Sequence, residues 1–286
     1  TDLDLEATQK SEPANLGRAS KFTGPDPAKA EAIFNDVLGG GTESVIELIG
    51  LIRPPGDPEF KSYKAEYLLH GLVIYVGRSG QEKPRAMLVK TLASQLDNVQ
   101  LAKPVRALLA RELQRVGDPS VAAALGRLLL DDELCDPAAT ALVAIGDGAA
   151  EPLRAALPNA KGRSRLVILQ NLGAVRDQSS LAALQQALAD TEAEVRWTAA
   201  WALAQLGNAA AIPALLKAAD AEASFERIKI TQACLVLAES LAGAGKKPEA
   251  ARIYAHLLKT RTDPKERYLR DAAKKAMDAL GGAATS

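Results

Sequence analysis

The side chains of this 286-residue chain with most chemistry to offer are two histidines, two cysteines and two tryptophans. Their spacing limits what they can do. A metal centre needs several converging ligands, and His70 and His256 fall in helical segments near opposite ends of the chain. No HExxH, paired-cysteine knuckle, Walker-type loop or GxSxG elbow is present. Gly39-Gly40-Gly41 lacks the following GK[ST] of a phosphate loop and reads as a helix breaker. No catalytic residue, metal or cofactor is assigned. His70 falls on the small-residue face of its helix and reads as a packed core histidine. Cys135 and Cys234 read as buried free thiols, as free cysteines commonly are.

The tryptophans are the best site candidates. Trp197 and Trp201 are four residues apart, so on a helix they share a face. The apolar register of EVRWTAAWALAQLG at 194–207 buries Val195, Ala199, Leu203 and Leu206. The indoles then lie on a face rotated away from that stripe. Exposed aromatics of this size mark places where a partner binds; the alternative is that each ring folds over a neighbouring helix and fills a gap left by alanines. A second local feature is the basic run Arg154, Lys161, Arg163, Arg165 and Arg176. It reads as a solvated face, or as a surface for an acidic peptide or carboxylate.

The elements that must position these residues are helices that recur. Counting back from a closing glycine relates 194–207 to VRALLARELQRVG at 105–117, LCDPAATALVAIG at 134–146 and LRDAAKKAMDALG at 269–281. Weaker copies end at Gly77 and Gly173. Apolar residues at i, i+3, i+4 and i+7 give each copy one buried stripe. Alanines let the next helix approach closely, and the glycine accepts the left-handed conformation that ends a helix. Shorter amphipathic stretches follow at 120–130, 180–189 and 211–219, with Pro213 near the start of its own. Two antiparallel helices of this kind cannot bury their faces alone and must stack on neighbours.

These motifs resemble the HEAT-repeat family in its short bacterial form, with repeats of about thirty residues, the phycobilin-lyase-like type. The resemblance covers roughly 40–281 and is strongest over 105–219. It implies an all-α, right-handed solenoid superhelix of about seven antiparallel helix pairs, armadillo-like in general design. The closing pair, 247–259 and 264–280, resembles a tetratricopeptide pair. The family pairs an Asp in the intra-repeat turn with an Arg six residues later, building a ladder between repeats. Asp190 and Arg196 match, but Gln100 and Arg106, Pro264 and Arg270, and Cys135 in the basic position do not, so a broken ladder is expected. Because second helices line the inner surface of HEAT arrays, the resemblance places Trp197, Trp201, Tyr67, Arg111, Asp136, Thr140, Arg163 and Lys275 along a concave face. Cys135 and Cys234 then lie about three repeats apart, several times what a disulfide spans at about 8–10 Å between packed helices.

The resemblance also sets the functional expectation. Di-iron deoxyhypusine hydroxylases within the family need several His-Glu pairs, and this chain has none. Nothing identifies a bilin site of the phycobilin-lyase kind. DNA alkyl-base glycosylases also use HEAT-like stacks, and Trp197, Trp201, Asp136, Arg163 and Arg111 loosely match their residue mixture. That nucleic-acid-binding enzyme is the alternative function. Against it, Lys plus Arg equals Asp plus Glu at 35 each, and a neutral chain lacks the electrostatic footprint of duplex binding.

The expected function is a non-catalytic protein–protein interaction scaffold that holds a peptide or protein partner on the concave face. Trp197, Trp201, Arg163, Tyr67, Arg111 and Lys275 are the partner-binding residues. Arg163 is expected near the indoles, its guanidinium over a ring. A monomer is expected, with no cofactor and no nucleic-acid partner. No apolar run approaches the length needed to span a bilayer. Residues 1–25 are polar and aperiodic, a flexible lead-in to one solenoid domain over 26–286. The chain starts at Thr1, compatible with an exported protein whose signal peptide was removed or with a cytoplasmic one.

Overall fold

A computed structural model describes residues 26–54, 56, 63–222 and 224–282. The expected N-terminal lead-in lies outside them. The described residues form fifteen α-helices joined by turns and short 3-10 segments, with no β-strand. Successive helices run in pairs, the solenoid-like arrangement the periodicity implies. Compactness divides the chain at Leu125 and Gly126 into two units.

The first unit holds α1 (Pro27–Gly39), α2 (Gly41–Gly50), α3 (Tyr63–Val76), α4 (Glu82–Gln95) and α5 (Lys103–Val116). Helix α6 (Ala122–Gly126) ends at the division. Asp26 caps α1, its carboxylate accepting the Ala28 N–H, and Pro27 follows where a missing N–H costs little. The triple glycine ends α1 and starts α2 as expected. Helix α4 packs between α2 and α5, and α3 packs on α5. Leu69, Leu72, Leu88, Leu92, Leu109 and Leu113 are fully buried and form its core.

The second unit holds α7 (Cys135–Ile145), α8 (Ala150–Ala156), α9 (Gly162–Ala174), α10 (Leu181–Ala187) and α11 (Ala193–Leu206). These are followed by α12 (Ile212–Ala219), α13 (Phe225–Gly243), α14 (Lys247–Thr260) and α15 (Arg267–Gly282). The longer helices α7, α9, α11 and α13 pack side by side, and each of α8, α10 and α12 packs on the long helix that follows it. Helix α11 lies between α9 and α13 because Ala199, Ala200, Ala202 and Ala204 hold no neighbour away; all four are fully buried with Val195 and Leu203.

Two of the expected closing glycines behave differently from one another. Gly207 has φ of +64° and ends α11 in the left-handed region. Gly173 lies inside α9, and a Cβ there would come within 2.7 Å of the Ala202 Cα. Its role is close helix approach. The residue in the left-handed position after α9 is Arg176, with φ of +52°, 31 residues before Gly207. Counting from Gly173 therefore set that copy three residues out of register.

The same 31-residue step relates Arg165, Arg196 and Arg227, and these three form a ladder within the second unit, while Arg106 donates to the Leu96 carbonyl and a buried cysteine stands at 135. Each guanidinium reaches forward to an acid at the next repeat: Arg165 to Asp190 at 2.8 Å, Arg196 to Glu226 at 2.5 Å and Arg227 to Glu266 at 2.7 Å. Arg196 also donates to the carbonyls of Asp190 and Thr191. The Asp190–Arg196 match thus works through the aspartate's backbone, leaving its carboxylate for Arg165. The bonds from Arg196 hold the Glu226 carboxyl below its usual range. Asp190 is lowered as well, first by the Glu192 N–H and then by Arg165. At the far end the fully buried Arg261 donates to Thr231 Oγ1 at 3.0 Å and to the Ala219 carbonyl at 2.6 Å, tying α13 and the end of α12 to the end of α14.

Candidate functional site

The aromatic face is built from α11 and the first turns of α13. With Val195, Ala199, Leu203 and Leu206 turned inward, helical geometry sends positions 197 and 201 to another side, one turn apart. Trp201 is 44% exposed. Trp197 is half-buried and sets its edge against the Phe225 ring, with centroids 5.6 Å apart and planes at 87°. Such T-shaped pairs contribute about 0.5–1.5 kcal/mol beyond area burial. Phe225 is 62% exposed and is fixed at the start of α13 by Ser224, whose hydroxyl accepts the Arg227 N–H. Lys229, one turn on, places its ammonium 5.2 Å above the Phe225 ring. The result is a short series of rings with a cation at one end.

Arg163 does not sit over an indole as expected. Its guanidinium is paired with the Asp136 carboxylate, presented from the neighbouring helix α7. A charge-assisted bond contributes more than a cation–π contact at an exposed site, so the carboxylate takes the guanidinium. Two more residues of the basic run are engaged in a similar way: Arg154 pairs with Asp177 at 2.6 Å and Arg165 with Asp190. Burial opposes ionisation of Asp177, but bonds from Ser180 and Arg154 outweigh it and hold its carboxyl below the usual range. Lys275 is exposed on α15, on the same side as Tyr268 two turns earlier. Thr140 is exposed on α7.

Tyr67 and Arg111 belong to the first unit. Tyr67 is exposed on α3 in a stripe with Tyr63, His70 and Ile74. His70 is not a packed core residue: its side chain is 36% exposed, and Nδ1 lies 3.0 and 3.2 Å from the two carboxylate oxygens of Glu112 on α5. Glu112 is buried, and a buried carboxylate needs a donor. Arg111, one residue before it, is exposed at the edge of a small pocket.

Cys135 and Cys234 are buried and unpaired, and burial pushes the Cys234 thiol up to about 12. His256 pairs with Asp220 at 2.9 Å. Among the described residues no three His, Cys, Asp or Glu side chains converge as metal ligands would. No described helix is long and apolar enough to cross a membrane.

A family model of HEAT repeats matches residues 150–236, the stretch from α8 into α13. The repeats there are HEAT-like. The likeness is to the HEAT-repeat superfamily at large and does not single out the phycobilin-lyase type. No curated protein matches the chain. Among solved structures, the complex of CpcE and CpcF of phycocyanin lyase from Nostoc sp. PCC7120 is similar at 18% identity and a TM-score of 0.43, over 94% of this chain and 100% of that one. Human deoxyhypusine hydroxylase in complex with glycerol is similar at 19% identity and 0.34, over 90% and 100%. An engineered protein is similar at 20% identity and 0.31, over 83% and 96%. None of the three bears on activity.

Proposed function

We propose that this chain is a non-catalytic interaction scaffold that holds an extended segment of a protein partner against the α11–α13 face. The observation that carries the reading is the ring series itself. Trp201 and Phe225 keep much of their surface in water although the alanine-lined interior beside them is closed, and large exposed aromatics are the side chains that contribute most at interfaces. Lys229 and the edge contact from Trp197 hold Phe225 in place before any partner arrives, which lowers the ordering cost of binding. The alternative enzyme would use Asp136 and Arg163 on substrate, and they neutralise one another. We place the repeats in the short bacterial type on the 31-residue step of Arg165, Arg196 and Arg227.

The test is a peptide array probed with the native protein and with the Trp197→Ala/Trp201→Ala variant. Peptides retained by the native protein should lose about 2 kcal/mol or more of binding in the variant, with its helical content unchanged. Equal retention by both proteins, or no retained peptide, contradicts the reading.

A further inference from the structure

The first unit contains a pocket of about 120 Å³ that the aromatic face does not involve. Its wall is aliphatic, from Ile52 just past α2 and from Val105 and Leu108 on α5. Its charged lining is Arg53, Glu66 of the first turn of α3 and Arg111 of α5. Arg53 donates to the Gly50 carbonyl at 3.0 Å. Among the described residues Arg111 and Glu66 have no ion-pair partner, although both line the same small space. An apolar cavity of about 150 Å³ holds a benzene ring, so this one suits a single aliphatic side chain. It is too small for a drug-sized ligand, which needs about 300 Å³ or more.

We propose that this pocket captures the free C-terminal end of a polypeptide whose last residue is aliphatic. The guanidinium of Arg111 and the aliphatic wall line one small space, which a carboxylate and an apolar side chain on the same residue would fill together. A chain-terminal Leu, Ile or Val carries both on one Cα; an internal Asp or Glu does not. The carboxylate meets Arg111, the side chain fills the space against Ile52, Val105 and Leu108, and the terminal residue's amide N–H donates to Glu66. Guanidinium–carboxylate bonds are among the stronger charge-assisted contacts, and capture of a terminal carboxylate is an established mode of peptide recognition. Under the scaffold reading this is a second docking point, separate in residues from the tryptophan face.

Fluorescence anisotropy of a dye-labelled Gly-Ser-Gly-Ser-Ala-Leu peptide with a free carboxyl terminus, titrated with the full chain, tests it. Saturable binding is expected, weakened about tenfold or more by C-terminal amidation and likewise by Arg111→Gln, which removes a charged partner at an exposed position. Replacing the terminal Leu with Gly should also weaken it. The Trp197→Ala/Trp201→Ala variant should bind the peptide as the native protein does, so the pocket and the aromatic face succeed or fail separately. Equal binding of acid and amide forms, no binding of either, or loss of binding in the tryptophan variant overturns the proposal.

Discussion

Single side chains divide here into those closed into the stack and those turned out of it, and that division was readable from spacing wherever a residue's surroundings come from its own helix. Val195, Ala199, Leu203 and Leu206 are buried, and Trp201 is exposed, because one helical period decides all five. Leu203→Ala should cost about 2–5 kcal/mol as a core truncation, measured by denaturant unfolding. A loss under about 1 kcal/mol would place Leu203 outside the core. Partners distant in sequence were not readable. His70 reads as a core residue until Glu112, 42 positions away, supplies its hydrogen bond. Arg163 was expected on an indole until Asp136 drew it off. Phe225, the ring that completes the aromatic face, stands at no helical spacing from Trp197, and no sequence signal could have paired them. Cys234, buried and pushed up to about 12, stays a protonated thiol at neutral pH. Thiol-reactive dyes should label it only on unfolding; prompt labelling of the native protein at Cys234 would contradict its burial.

At the scale of helices and turns, period and terminators were legible, while register and links between repeats were not. Gly207 and the triple glycine behave as breakers. Gly173 was misread because a glycine serves close packing as readily as a turn, and Arg176 took the turn position without a glycine to mark it. A left-handed conformation costs an ordinary residue about 1–2 kcal/mol. Arg176→Gly should therefore stabilise the protein by up to about 1 kcal/mol after the glycine's greater unfolded freedom is subtracted. An unchanged or lower denaturation midpoint would show that the turn is not strained. The forward pairs of the arginine ladder are not legible in the sequence because their acids stand 25, 30 and 39 residues ahead of Arg165, Arg196 and Arg227. Each distance includes a turn of its own length, so no single spacing reveals the pairs. The ladder carries a pH signature. Glu226 titrates below its ordinary value of 4.5 because Arg196 binds the charged form. Its contribution is full above that value and is lost as pH falls through the lowered range, since the unfolded chain then takes up the proton more readily. Glu226→Gln should be less stable than the native protein at neutral pH, and the difference should shrink on acidification. A difference that grows toward low pH would reverse the sign of the coupling.

For the molecule as a whole, stacking of helices that cannot stand alone decides which side chains are closed in and which are left at the surface. Interior positions are filled chiefly by alanine and leucine, Arg165, Arg196 and Arg227 are bound to acids of the next repeat, and polar and aromatic groups, Trp201 and Phe225 among them, form the surface. The central claim is that Trp201 belongs to that surface and serves a partner rather than the fold. Denaturant unfolding of Trp201→Ala, followed by circular dichroism, tests it most directly. A displayed ring predicts a stability loss under about 1 kcal/mol, close to that of an ordinary surface substitution. A loss of about 3–5 kcal/mol, the cost of removing a core tryptophan, would mean that the ring holds the repeats together and would contradict the account.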